Sequence, residues 1–80
     1  MNAPLPHFDR ARFDADIAAL LRLAPAELAG IDDPIDAGLD SVRLMVLVEN
    51  WRRQGVAVAF VELVEHRSFD AWWALIAARR

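Results

Sequence analysis

The apolar residues that follow Ser41 recur with the period of an α-helix, and this pattern constrains the fold most. On a helical wheel at about 100° per residue, one arc of residues 41–54 contains Leu44, Leu47, Val48 and Trp51. Such an arc is the face with which a helix packs onto a hydrophobic core. Gly55 suits the position just after a helix end, because glycine tolerates positive φ. The sequence therefore predicts a helix from Asp40 or Ser41 to about Arg53.

Two further segments have the same helical spacing. Asp9 suits the N-cap of a first helix that runs to about Arg22 and is stopped by Pro25, because its carboxylate can accept from free backbone N–H groups. The apolar face of that helix consists of Phe13, Ile17, Leu20 and Leu21. Ser68 suits the N-cap of a last helix. Its apolar face consists of Phe69, Trp72, Trp73 and Ile76.

The segments between these helices contain chain-breaking residues. Prolines and glycines punctuate residues 23–40, which predicts a long connection with one short helical turn at residues 25–28. Residues 56–60 alternate like a strand, but an isolated strand would have no partner, so we predict an extended linker. A short third helix then runs from about Phe60 to Glu65. The predicted fold is all-α, a small four-helix bundle of three main helices and one short helix.

Length and charge limit the kind of molecule further. Eighty residues make one domain, in which residues 1–8 are predicted to form a flexible tail and residues 9–80 the folded domain. The chain shows no cysteine, no signal peptide and no apolar run of about 18 residues, which favours the cytoplasm over secretion or a membrane. The net charge is −3 and the arginines are scattered, so we expect no nucleic-acid binding.

A second apolar patch lies off the core face of the helix after Ser41. It consists of Val42, Met45 and Val46. Charged residues border it, namely Glu49, Arg52 and Arg53. A third face is predicted to be solvated and contains Arg43, Asn50 and Gln54. Because an apolar patch with a polar rim often marks a protein contact, we favour a contact for Val42 and Met45. For Val46, burial under a neighbouring loop is an equal alternative.

The chemistry open to Ser41 is limited by the rest of the sequence. A hydrolytic serine needs a base and a group that orients the base. The histidines are His7 and His66, and the sequence offers neither of them the other residues of a catalytic triad. Two interpretations remain. Ser41 is a helix-start residue alone, or it accepts a phosphate-linked group, because the first turn of a helix favours an anion. Gly38 would let the chain turn tightly before the helix.

The residues around Ser41 resemble a known family. The ordered set comprises Pro25-Ala26-Glu27-Leu28, Gly38-Leu39-Asp40-Ser41, Arg43-Leu44-Met45, Trp51-Arg52, Gly55, Phe60 and Ala71-Trp72-Trp73. It is similar to that of the phosphopantetheine-binding carrier domains, and closely so to the aryl carrier branch of nonribosomal peptide synthesis. The resemblance covers about residues 9–78. Asp-Ser alone would be a weak signal, whereas the ordered set is a strong one.

The resemblance implies a role for each matching residue. Ser41 would carry 4′-phosphopantetheine, transferred from coenzyme A by a phosphopantetheinyl transferase that uses Mg²⁺, and Asp40 would help that enzyme and its metal to engage. The resemblance and the second patch together predict a partner surface of Val42, Met45, Val46, Phe60 and Val64. The chain would be a non-catalytic, monomeric carrier. An adenylating enzyme would load an aryl or related acyl group as a thioester, and a condensation-type enzyme would remove it.

The sequence departs from the family's usual pattern at two places. Arg67-Ser68-Phe69 stands where Pro-Thr-Leu is usual; Ser68 can cap as the threonine would, but Arg67 alters the neighbouring surface. Val46 stands where other carriers often have a charge. Arginines also outnumber Glu49 along the helix, which argues against fatty-acid synthase partners.

Other functions stay open at this stage. An aminoacyl (peptidyl) or polyketide acyl carrier would keep the prosthetic group, and a helical adaptor would lack it.

No resident metal is expected, because an EF-hand loop needs ligands at alternate positions and a closing glutamate. The acidic loop lacks that spacing and contains Asp32, Asp33, Asp36 and Asp40.

Overall fold

Four α-helices and one short 3-10 helix make up the described part of the chain. The computed structural model describes residues 8–79. The elements are α1 (Arg10–Leu21), a 3-10 helix (Pro25–Gly30), α2 (Ser41–Arg53), α3 (Phe60–Glu65) and α4 (Phe69–Ala78). Residues 8–79 contain no strand. The prediction of an all-α bundle with three main helices and one short helix is therefore confirmed. No helix in this range is long and apolar enough to cross a membrane.

A side-chain cap starts each of the three main helices. Asp9, Asp40 and Ser68 each accept a hydrogen bond, 2.9 to 3.0 Å long, from the backbone N–H three residues further on. These bonds satisfy N–H groups that have no partner within the helix. The cap of α2 is Asp40, so the helix proper begins at Ser41.

Left-handed backbone positions end the first two main helices. Arg22 adopts φ of 57°, and the Leu23 N–H donates to the Ala18 carbonyl oxygen at 2.9 Å. This arrangement closes α1 at Leu21, before the proline that was expected to stop it. Gly55 follows α2 with φ of 87°, as its position in the sequence predicts.

Two buried tryptophans connect the helices. The Trp51 ring of α2 stacks on Phe13 of α1 with ring centroids 5.2 Å apart, and its Nε1 donates to an Asp16 carboxylate oxygen at 3.0 Å. The Nε1 of Trp72 in α4 donates to the Leu63 carbonyl oxygen of α3 at 3.0 Å. Both indole N–H groups are satisfied inside the bundle. The short helix α3 is thereby tied to α4.

The predicted solvated face of α2 is partly wrong. Asn50 and Gln54 are half-buried, and Gln54 Nε2 lies 3.4 Å from a carboxylate oxygen of Asp16 on α1. Arg43 is exposed as expected. The difference arises because α1 packs against α2. A helical wheel shows the faces of one helix but not which neighbouring helix covers them.

Phe8 belongs to the packed part of the described chain. Its side chain is buried, and its ring meets Trp51 edge-on with centroids 5.8 Å apart. The rest of the predicted tail, residues 1–7, lies outside the described residues. The division of the chain at residues 8 and 9 stays a prediction.

Candidate functional site

The loop before Ser41 is a hydrogen-bonded turn. An Asp33 carboxylate oxygen accepts from the Ile35 N–H at 2.9 Å, and the Asp33 carbonyl oxygen accepts from the Ala37 N–H at 3.1 Å. The Leu39 N–H donates to the Pro34 carbonyl oxygen at 3.2 Å. The Leu39 side chain is fully buried. The turn is therefore closed from within and anchored in the core immediately before α2.

Gly38 gives this turn its last change of direction. Its φ is 122°, a backbone conformation that side-chain-bearing residues rarely adopt. A Cβ built on Gly38 would lie 3.5 Å from a methyl carbon of Leu21, an ordinary contact, so the backbone angle rather than crowding requires glycine here. The Gly38 carbonyl oxygen accepts from the Asp40 N–H at 3.0 Å. Gly38 thus sets the direction in which α2 begins.

Ser41 is exposed at the first residue of α2. Asp40 supplies the cap, with its Oδ1 accepting from the Arg43 N–H at 2.9 Å. Within the described residues, the Ser41 hydroxyl has no hydrogen-bond partner among protein groups. An anion attached at this position would meet the unpaired N–H groups and the positive end of the helix dipole. The exposed hydroxyl therefore fits a phosphodiester-linked group, and the helix does not need Ser41 as its cap.

Arg43 folds back over the start of α2. Its Nη1 donates to the Gly38 carbonyl oxygen at 3.3 Å and lies 3.5 Å from the Asp40 carboxylate. The pair is exposed on both sides, so it contributes little to stability. It places a guanidinium against Gly38 and Asp40, two of the residues that precede Ser41.

The second apolar patch of α2 is open to solvent. The exposed fractions are 70% for Val42, 60% for Met45 and 49% for Val46. These residues line a shallow groove together with Glu49 and Arg53. The long loop does not bury Val46, so the structure favours the surface interpretation of that residue over the buried one.

Helix α3 adds exposed apolar residues next to α2, which it contacts. Phe60 and Val64, two of the predicted partner-surface residues, are exposed at 37% and 38%. Val61, which the sequence analysis missed, is exposed at 56%. Its signal in the sequence was the spacing of Val61 and Val64, three residues apart on a face of α3 that excludes the buried Leu63.

The acidic loop residues pair with an arginine. Arg67 Nη2 lies 2.7 Å from Asp33 Oδ2 and 3.6 Å from Asp36 Oδ1. Desolvation raises the pKa of Asp33, but hydrogen bonds from the Ile35 N–H and Arg67 outweigh it and hold that pKa below its ordinary value. Among residues 8–79, no cluster of three or more histidine, aspartate or glutamate side chains is placed to hold a metal ion.

Comparison with known proteins identifies the same region. The model of the family described as the phosphopantetheine attachment site matches residues 12–76. The chain is 47% identical over 68 residues to the acyl carrier protein ScoB of Streptomyces coeruleorubidus, an alignment that covers 85% of this chain and 80% of that protein.

Two longer proteins contain a similar segment. The chain is 48% identical over 63 residues to isochorismatase of Bacillus subtilis, covering 79% of this chain and 20% of that protein. It is 41% identical over 68 residues to the phenyloxazoline synthase MbtB of Mycolicibacterium paratuberculosis, covering 75% of this chain and 6% of that protein. The chain thus spans most of ScoB but a fifth or less of the two longer relatives.

No solved structure matches the chain. The family match nevertheless extends from α1 to α4 and includes the exposed serine, its capping aspartate and the turn before them. The chain therefore belongs to the phosphopantetheine attachment site family, the carrier proteins that hold 4′-phosphopantetheine as a covalent group.

Proposed function

We propose that Ser41 is the attachment residue and that the chain is a carrier for an aryl acid or a related acyl group. The observation that carries this proposal is the exposed Ser41 hydroxyl at the first residue of α2, with the neighbouring Asp40 taking over the capping role. A serine needed for capping would have its oxygen engaged with the backbone. Ser41 is instead available for modification.

The modification is a phosphoryl transfer with a simple balance. The Ser41 hydroxyl oxygen forms a bond to the phosphorus that carries the pantetheine arm of coenzyme A. The phosphoanhydride bond breaks and adenosine 3′,5′-bisphosphate leaves. A base of the transferase would take the hydroxyl proton, and Mg²⁺ bound with coenzyme A would neutralise the charge on the leaving phosphate.

Asp40 supports this step in two ways. Its Oδ1 caps α2 and so fixes the backbone at Ser41. The rest of its carboxylate is largely exposed beside the serine, where it offers an oxygen ligand of the kind Mg²⁺ prefers. We propose that the transferase and its metal engage Asp40 through this exposed carboxylate.

The partner surface is the exposed apolar face next to Ser41. We propose that it comprises Val42, Met45, Val46, Phe60 and Val64, and we now add Val61. Enzymes that load and unload the arm must approach Ser41, so a surface beside it would be contacted in each encounter. The adenylating enzyme and the condensation-type enzyme are the proposed users of this surface. The monomeric state and the cytoplasmic location stay predictions from the sequence.

The aryl specificity is supported by resemblance and relatives. The ordered residues from Gly38 to Trp73 resemble those of aryl carriers, and one relative is named for a phenyl-bearing product, phenyloxazoline. The thioester would form on the thiol of the prosthetic group, since the chain contains no cysteine. The loading enzyme, not a pocket in this small domain, would select the acid.

The first test is modification of the intact chain. We expect incubation with coenzyme A, Mg²⁺ and a broad-specificity phosphopantetheinyl transferase to add the mass of one phosphopantetheine group. Ser41→Ala should gain nothing. The chain has one other serine, Ser68, and Ser68→Thr keeps the cap of α4 and should be modified like the wild type. No gain in the wild type would favour the adaptor function, and an equal gain in Ser41→Ala would remove the assignment of Ser41.

The second test distinguishes the acyl groups. We expect the modified chain to be loaded with salicylate or 2,3-dihydroxybenzoate by aryl-acid adenylating enzymes, with the thioester detected by intact mass. Loading by amino-acid-activating enzymes alone would instead identify an aminoacyl carrier.

A further inference from the structure

Arg67 forms an ion pair across the molecule with the loop that precedes Ser41. It lies in the connection between α3 and α4, at a position where the resemblance leads one to expect proline. Its Nη2 is 2.7 Å from Asp33 Oδ2, while the contact with Asp36 is looser at 3.6 Å. The Asp33 side chain is 25% exposed and that of Asp36 is 80% exposed. Asp33 is therefore the main partner.

Asp33 is also the residue that closes the turn from within. Its Oδ1 accepts from the Ile35 N–H at 2.9 Å, which leaves Oδ2 for Arg67. Its carbonyl oxygen accepts from the Ala37 N–H at 3.1 Å. One residue thus joins the internal hydrogen bonds of the turn to a cation on another element.

The turn in question leads directly to the modified position. From Asp33 the chain runs through the bonded turn and the buried Leu39 to Asp40, the cap of α2, and then to Ser41. Arg43 also contacts this segment, at Asp40 and at the Gly38 carbonyl oxygen, but it does so from α2, the helix that the segment leads into. Arg10 instead connects α1 with Asp70 of α4 at 3.0 Å and touches no residue of this loop.

We propose that Arg67 is a positioning residue that holds the loop before Ser41 in the conformation that the phosphopantetheinyl transferase binds. The inference deepens the proposed function and rests on attachment at Ser41. Loss of the ion pair lets the turn open for part of the time. The transferase then finds only a fraction of the molecules ready, which raises the apparent KM by the inverse of that fraction and leaves kcat unchanged.

The test measures transfer of phosphopantetheine over a range of concentrations of the unmodified chain. For Arg67→Ala we expect KM to rise measurably, by at most about fivefold, which is the limit that a partly exposed ion pair of up to about 1 kcal/mol sets, with kcat unchanged. Asp33→Asn removes the charge but keeps an oxygen that can accept from the Ile35 N–H, and it should raise KM similarly. The two substitutions change the net charge in opposite directions, so a shared effect cannot come from net charge.

Control variants separate positioning from general stability. Arg10→Ala removes an arginine of similar exposure and its two ion pairs, with Asp14 and Asp70, neither of which lies in the loop, and its KM should match the wild type. Arg67→Lys should have a KM close to that of the wild type, because a single nitrogen of Arg67 makes the contact with Asp33. The double variant Arg67→Ala/Asp33→Asn should be no worse than either single variant.

Amide hydrogen exchange gives a readout that does not depend on the transferase. In Arg67→Ala we expect faster exchange at the Ala37 and Leu39 amides, which are bonded within the turn, and unchanged exchange in α1.

Transfer to the wild type together with an unchanged KM in Arg67→Ala would overturn the inference while leaving the proposed function intact. A defect in Arg67→Ala but not in Asp33→Asn, or a fall in kcat alone, would also overturn it, because direct contact with the transferase would then explain the result. No transfer to the wild type would remove the proposed function itself.

Discussion

At the scale of single residues, Asp40 combines two roles that are separable by substitution. One carboxylate oxygen binds the backbone of α2, and the rest of the group is exposed beside Ser41. Asparagine is as good an N-cap as aspartate but lacks the charge. Alanine lacks both properties.

We predict that Asp40→Asn leaves the free energy of unfolding nearly unchanged but slows transfer of phosphopantetheine to Ser41. Asp40→Ala should slow the transfer and also lower the free energy of unfolding by about 1 kcal/mol through loss of the cap. Urea unfolding and the intact-mass assay measure the two effects separately. If Asp40→Asn is modified as fast as the wild type, the carboxylate has no role beyond capping.

Residues whose roles depend on their neighbours in the sequence could be predicted. The caps at Asp9 and Ser68 and the positive φ of Gly55 follow from local rules. The same rules left the start of α2 open between Asp40 and Ser41, and the structure shows that the cap is Asp40. Arg67 could be identified only as a departure from a pattern. Its partner Asp33 is brought to it by the packing of the whole bundle, and no local rule contains that information.

At the scale of the element, α2 has two apolar faces, one buried in the core and one exposed to solvent. Leu44, Leu47 and Trp51 are buried, whereas Val42 and Met45 are largely exposed. The wheel separated these two sets because both follow from the helical period. It placed Gln54 wrongly because the contact with Asp16 comes from another helix. It could not include Val61, which lies on α3.

The two faces should respond differently to substitution. We predict that Trp51→Ala lowers the free energy of unfolding by about 3–5 kcal/mol, because it removes a fully buried ring. Met45→Asp should change that free energy by less than about 0.5 kcal/mol, yet raise the KM of the loading enzyme for the modified carrier. Urea unfolding and thioester loading measure the two quantities. Unfolding of Met45→Asp would show that the assignment of the faces is wrong.

At the scale of the whole molecule, Arg79 after α4 holds α3 and the linker before it. Its guanidinium donates to the Ala57 carbonyl oxygen at 3.2 Å and to both carboxylate oxygens of Glu62. Glu62 also accepts from the Ala59 N–H at 2.9 Å, at the start of α3. The hydrogen bond from Arg79, and after it the one from Ala59, lower the pKa of Glu62 from 4.5 to about 2.

This lowered pKa gives stability a defined pH dependence. The folded chain keeps Glu62 ionised where the unfolded chain would protonate it, so the stabilisation is complete above about pH 4.5 and is lost as the pH falls toward 2. We predict that the difference in free energy of unfolding between the wild type and Arg79→Ala is constant near neutral pH and shrinks through this window. Urea unfolding at a series of pH values measures it. A difference that stays constant down to about pH 2 would contradict the prediction.

The hydrogen bond between the Trp72 indole N–H and the Leu63 carbonyl oxygen gives a natural probe of the contact between α3 and α4. The indole proton is buried, so it can exchange with water only when α3 leaves α4. Its resonance in a nitrogen-15 spectrum, distinct from the backbone amides, would reveal that separation without any attached label. Spectra recorded with a partner enzyme would therefore distinguish docking onto an intact bundle from docking that first displaces the short helix.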